Sequence, residues 1–217
     1  MEGYSALQIG QAVFSTGVFQ ILTIPVYAML ANQVDLRWIL MVGLAFFAVS
    51  MFEFSPITHD WSARELLFPQ ALRGIGQQLA VPPVVTLTLG SLAPSRLKQA
   101  SGLFNLMRNL GGAMGIAGCA TILTDRTNLH FFRLAEHLNP TNEAMNGFLA
   151  RSGWAEGDPA AQATSLKLLW SLTFREAQTL TYGDAFLAIM VCFIIATVMV
   201  PLMRKVMPPK GPSADAH

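Results

Sequence analysis

Long stretches of this chain carry no charged side chain, among them Gly3 to Val34, Trp38 to Phe52 and Ala185 to Met203. A bilayer hydrocarbon core about 30 Å thick is crossed by about 20 apolar residues of helix. The first and last runs satisfy that length, and the second does once it continues past Glu53. The runs are continuously apolar rather than alternating, which excludes a membrane β-barrel, whose strands alternate over about ten residues. Inside a bilayer only a helix closes its own backbone hydrogen bonds. The expected fold class is therefore an all-α integral membrane protein. The composition agrees: 53% of residues are hydrophobic and 12% charged, against roughly 25% charged for an average soluble domain.

Five transmembrane helices are expected, at about 7–31, 38–57, 66–92, 103–123 and 184–203. Residues 124–183 form a long loop and 204–217 a tail. The third span contains Arg73 and the pair Pro82-Pro83, so a kink is expected there. Within the loop, Leu129, Phe132, Ala135 or Glu136, and Leu138 predict a short amphipathic helix stopped by Pro140. Leu166, Leu169, Trp170 and Thr173 predict a second, with Gly153 to Pro159 as loop between them.

Charge sets the orientation. Arg37 lies in the first connection, Arg96 and Lys98 in the third, and Arg204, Lys205 and Lys210 in the tail. Short basic segments stay in the cytoplasm, whereas loops of about sixty residues count little in that rule. The tail is therefore expected to be cytoplasmic and the 124–183 loop external. This places the start of the chain outside as well; with five spans and no signal peptide, the chain reads as a piece of something longer.

Charges within the spans are the candidates for chemistry, because each costs roughly 2.5–3.5 kcal/mol unless paired or wetted. Arg73 is read either as facing a central cavity, or as pairing with Glu65 or snorkelling outward. Arg108 suits a cytoplasmic gate or helix end more than direct substrate contact. Glu53 meets headgroups or, on the sharper reading, carries a proton. Gln70 and Asn105 are the accompanying polar candidates. Gly111, Gly112, Gly115 and Gly118 recur three to four residues apart, a small-residue pattern that lets helices approach closely, and Gly74 and Gly76 are assigned the same packing role. The unequal distribution of Gln, Asn, Arg and Gly puts the first, third and fourth spans against a cavity and the second and fifth at the periphery. His130 and His137 give too few ligands for a metal site and read as solvated loop histidines. Cys119 and Cys192 read as packing residues. The pattern holds no nucleophile–base pair, phosphate loop or cofactor fingerprint, so neither an enzyme nor a cofactor is expected. A net charge of +1 implies no nucleic-acid partner.

The segment Ala100-Ser101-Gly102-Leu103-Phe104-Asn105-Leu106-Met107-Arg108-Asn109-Leu110-Gly111-Gly112-Ala113-Met114-Gly115-Ile116-Ala117, with Arg126 and His130 after it and Tyr182-Gly183-Asp184-Ala185-Phe186 later, resembles the fourteen-helix drug:proton antiporter group of the major facilitator superfamily, the EmrB/QacA type. The resemblance runs nearly the whole length, from Gly3 to Pro209. It implies that the five spans are the last five of fourteen. It also implies a bacterial inner-membrane protein, proton-driven export of hydrophobic or amphipathic drug-like compounds, and antibiotic resistance as a consequence. Gln70-Ala71-Leu72-Arg73-Gly74-Ile75-Gly76 looks like a pseudo-repeat of a family motif whose intramembrane Arg is tied to proton coupling. Leu30 to Arg37 looks like a pseudo-repeat of the first-loop motif, with Asn32 where an acid often stands. The implied partners are lipid, the missing N-terminal helices and a periplasmic membrane-fusion adaptor. The competing expectations are a membrane-anchored interaction protein acting through its external loop, and a gene fragment with no activity.

Overall fold

In the computed structural model, residues 6–58, 61, 63–90, 92–138, 143–151 and 159–203 are described. Six α-helices follow in order: α1 Ala6–Gln33, α2 Leu36–Phe54, α3 Ala63–Leu89, α4 Pro94–Glu136, α5 Glu143–Arg151 and α6 Pro159–Met199, which ends in a 3-10 turn at Val200–Leu202. No strand occurs among the described residues. The 204–217 tail, the stretch 153–158 and the helix stop at Pro140 lie outside them.

Four of the helices are long and apolar enough to cross a membrane: α1 over Val13–Gln33, α2, α4 and α6. The helix α3 forms where the third span, about 66–92, is expected, but it is not among those four. Arg64, Glu65, Gln70, Arg73, Gln77 and Gln78 dilute its apolar character.

The helices also run further than the hydropathy pattern indicates. α4 has 43 residues and α6 has 41, about twice what a bilayer core requires. The amphipathic stretch around Leu129–Leu138 is the end of α4 rather than a separate short helix, and the stretch around Leu166–Thr173 is part of α6. Polar residues after Leu123 mark a fall in hydropathy, but they do not stop a helix. That takes a proline, a glycine cap or a lost hydrogen-bond ladder, and none occurs between Thr124 and Glu136.

The described residues fall into two compact units. The first holds residues 6–56, 61–115 and 186–203; the second holds 57–58 and 116–185.

In the first unit α3 packs against both α1 and α2. Its core joins Leu36, Ile39 and Leu40 of α2 to Leu79, Ala80 and Leu87 of α3 and to Val200. Two glycine contacts set the helix separations. A Cβ on Gly43 would lie 2.7 Å from the Ala80 nitrogen and the Leu79 carbonyl carbon, and one on Gly76 would lie 2.9 Å from the Gly43 oxygen. At Gly74 a Cβ would strike the Thr16 carbonyl oxygen of α1 and come 3.2 Å from the Gln20 nitrogen. Backbone therefore meets backbone on both flanks of α3, the close approach that small residues permit between membrane helices. The last part of α6 lies on α2 through stacked rings, Phe47 on Phe193 at 4.8 Å and Phe54 on Phe186 at 5.2 Å. Trp38, Val42, Val49 and Phe52 of α2 are exposed. An apolar groove of about 350 Å³ runs between Ala45, Val49 and Phe52 of α2 and Met190, Ile194 and Val198 of α6.

In the second unit α4 and α6 form a helical hairpin. Phe131 meets Trp170 and Phe174 edge-on at 6.2 Å, and Trp170 stacks on Phe174 at 5.0 Å. Thr127 donates a hydrogen bond to Thr181 at 3.2 Å. Ala177 and Thr181 are fully buried in the seam.

Candidate functional site

Gln70 lies at the α1–α3 interface, where its side-chain oxygen accepts a hydrogen bond from the Thr16 hydroxyl. Both groups are buried. Gly74, one turn on, admits the same segment of α1. Across α3, the fully buried Ser50 hydroxyl donates to the Pro69 carbonyl at 2.9 Å. A layer of satisfied polar groups thus crosses α1, α3 and α2, and it meets the demand that a buried polar atom have a partner. Arg73 sits on the exposed surface of α3, and Glu53 is half-buried near the end of α2.

The remaining candidates lie on α4 and are not brought into this layer. Asn105 and Arg108 are exposed. A Cβ on Gly111, Gly112, Gly115 or Gly118 would meet nothing within 4 Å. Spacing of three to four residues aligns Ser101, Asn105, Arg108, Gly112 and Gly115 on one face of the helix. Leu103, Leu106, Met107, Leu110 and Met114 occupy the opposite face, and all five are exposed. Within the first unit, then, α4 has an apolar face and a small, polar face, and none of its most apolar stretch is buried among the described residues.

At one end of the first unit, the Arg37 guanidinium donates from Nη1 to the Met203 carbonyl at 2.6 Å. An arginine satisfying a carbonyl beyond a helix end is an ordinary cap. This bond and the burial of Val200 beside Leu36 and Leu87 bring the start of α2, the end of α3 and the end of α6 to the same end.

The second unit contains a charged cluster that the sequence does not reveal as one. His130 Nε2 lies 2.8 Å from Asp184 Oδ2. Arg126 Nε approaches the same oxygen at 3.7 Å. Arg126 and His130 are one turn apart on α4, so a single carboxylate on α6 meets both. His130 is not a free, solvated histidine: its side chain is 16% exposed. The signals in the sequence were the i, i+4 spacing of Arg126 and His130 and the place of both, with Asp184, among the residues that carry the family resemblance. On the opposite flank of the Thr127–Thr181 seam, Leu123, Thr124, Thr127 and Asn128 of α4 and Phe174, Gln178 and Tyr182 of α6 line a groove of about 360 Å³. No group of three or more His, Cys, Asp or Glu residues suited to a metal occurs among the described residues.

Helices of membrane-crossing length and apolarity, packed through glycine on one side and exposing a polar stripe on another, define a multi-pass membrane protein. The chain belongs to the major facilitator superfamily, whose sequence model matches residues 2–212; it is a family of transporters rather than enzymes. It is similar to the multidrug export protein EmrB of Escherichia coli, 31% identical over 180 residues, which is 78% of this chain and 35% of that protein. It is 30% identical to the colistin resistance protein EmrB of Acinetobacter baumannii, over 82% of this chain and 35% of that protein. It is 23% identical to the fatty acid resistance protein FarB of Neisseria gonorrhoeae, over 99% of this chain and 41% of that protein. The chain thus spans 41% or less of the length of these three relatives.

Proposed function

We propose that this chain works as part of a proton-driven exporter of hydrophobic or amphipathic compounds, supplying the last five membrane helices of the carrier and transporting nothing alone. The observation that carries the reading is the two-faced α4. Its Asn105–Arg108–glycine stripe is uncovered, and an arginine at membrane depth is stable only against protein or water. Further helices, or a wet cavity, must meet that face. Alternating access requires two bundles that rock around a shared site, and a single set of five spans does not supply them. The names of the relatives, with multidrug export among them, support the substrate class.

In this reading α3 also spans the membrane, as the third of the five, its polar residues tolerated because α1 and α2 flank it. The end that carries Arg37, Val200 and Met203 is cytoplasmic, in keeping with the basic residues there. The residues of about 124–183 lie outside, and the hairpin, with Phe132 exposed, docks a periplasmic membrane-fusion adaptor. Arg73 and Glu53 remain candidates for proton coupling, and Arg108 for gating.

Export from everted vesicles tests the proposal. A complete carrier bearing Arg108→Gln or Asn105→Leu in this segment is expected to lose at least ninety per cent of proton-gradient-dependent dye export while inserting normally. The chain by itself is expected to export nothing. Export by the isolated chain, or full activity in both variants, would overturn the reading.

A further inference from the structure

The hairpin of the second unit has two unlike flanks. One is charged and internally satisfied, with Asp184 shared between His130 and Arg126. The other is the groove of about 360 Å³, and no charged residue lines it. That volume falls within the range of about 300–1,000 Å³ found for small-molecule sites. Phe174 and Tyr182 offer aromatic surface on one wall, with Leu123 across from them. Asn128 and Gln178 offer side-chain amides, one from each helix. Both are exposed, and neither has a hydrogen-bond partner among the described residues. Each amide presents two donors and an acceptor.

The groove is also held in shape. The Thr127–Thr181 bond forms its floor, and the Trp170–Phe174 stack fixes the orientation of one aromatic wall. Its walls do not depend on a mobile charged side chain. A neutral lining would leave a charged ligand without a counter-ion. Aromatic walls with two free amides instead suit a flat, neutral molecule that carries amide or hydroxyl groups.

We propose that this groove is a binding subsite for neutral aromatic compounds bearing amide or hydroxyl groups, held by Phe174 and Tyr182 and oriented by Asn128 and Gln178. The role of such a subsite in export rests on the exporter reading above; the binding itself does not.

The probe is chloramphenicol, which is neutral and water-soluble and combines an aryl ring with an amide and two hydroxyls. The full chain is placed in lipid nanodiscs with Cys119 and Cys192 replaced by serine. A single reporter, Thr124→Cys at the groove edge, is labelled with a water-soluble maleimide. Chloramphenicol is expected to slow labelling of this reporter saturably, and to leave unchanged the labelling of a reporter on the α4 face shared by Arg126 and His130, Arg133→Cys. Adding Asn128→Leu and Gln178→Leu is expected to raise the half-protecting concentration about tenfold, with the ligand-free labelling rate and helicity unchanged. If the double variant loses helicity, Asn128→Ala alone is read in its place, with an expected rise of about threefold. No protection at saturating chloramphenicol, equal protection at both reporters, or equal protection with and without the amides would overturn the proposal. The assay uses no proton gradient, so a failure here removes the subsite and leaves the exporter reading to its own test.

Discussion

Replacing Gly43 by alanine puts a Cβ 2.7 Å from two backbone atoms of α3, the Ala80 nitrogen and the Leu79 carbonyl carbon, and 3.0 Å from the Gly76 oxygen. Carbon atoms at rest sit about 3.5–4.0 Å apart, so α2 and α3 must separate locally by about 1 Å. No flexible side chain can absorb that movement, because every atom met is main chain. The separation loosens the packing of Ile39 and Leu40 on Leu79 and Ala80, all in the core. Overpacking a well-packed site costs typically about 1–3 kcal/mol, and the backbone contact places Gly43→Ala in the upper half of that range. Gly112→Ala is the matched control. Its Cβ meets nothing within 4 Å, and alanine is the better helix former by about 1 kcal/mol in water. The assay is SDS-titrated unfolding of the full chain in mixed micelles, followed by far-UV circular dichroism. Gly43→Ala is expected to lower stability by about 2–3 kcal/mol, with Gly112→Ala at or above the parent. Equal midpoints for Gly43→Ala and the parent would refute the backbone-contact argument, as would an equal loss in both variants.

Three further outcomes are expected. Ser50→Ala leaves the Pro69 carbonyl without its side-chain donor and should cost about 1 kcal/mol in the same titration. Asp184→Asn weakens the tie to His130 and Arg126. It should speed amide hydrogen exchange around Thr127–Leu134 and Ala177–Ala185 while leaving α2 and α3 unchanged; uniform acceleration across the chain would argue against a local clamp. Arg37→Met keeps the aliphatic stem but removes the donor to Met203. Exchange should rise at Val200–Met203 with little change in the global midpoint, and unchanged exchange there would show that the cap contributes nothing.

The all-helical, membrane-embedded character of this chain was legible from its charge-free runs alone. An unpaired backbone group is too costly in a bilayer for a long apolar run to be anything but helix. The glycine spacing on α4 was legible too, because helical periodicity is written into local sequence, whereas a Cβ at those glycines would meet nothing within 4 Å among the described residues. What hydropathy could not give was where the helices end. Polarity after Leu123 signals a change of surroundings, whereas helix termination depends on breakers and caps, so α4 continues to Glu136. Nor could spacing reveal contacts between distant elements. Gly43 is a lone glycine in an apolar helix, and only its encounter with Gly76, Leu79 and Ala80 gives it a role. Thr16 with Gln70, Thr127 with Thr181, and His130 with Asp184 are each 54 residues apart. Which side chains meet across a seam is set by the rotation of each helix about its axis. Packing at close-approach points such as Gly43, Gly74 and Gly76 decides that rotation, and only the tertiary structure contains it.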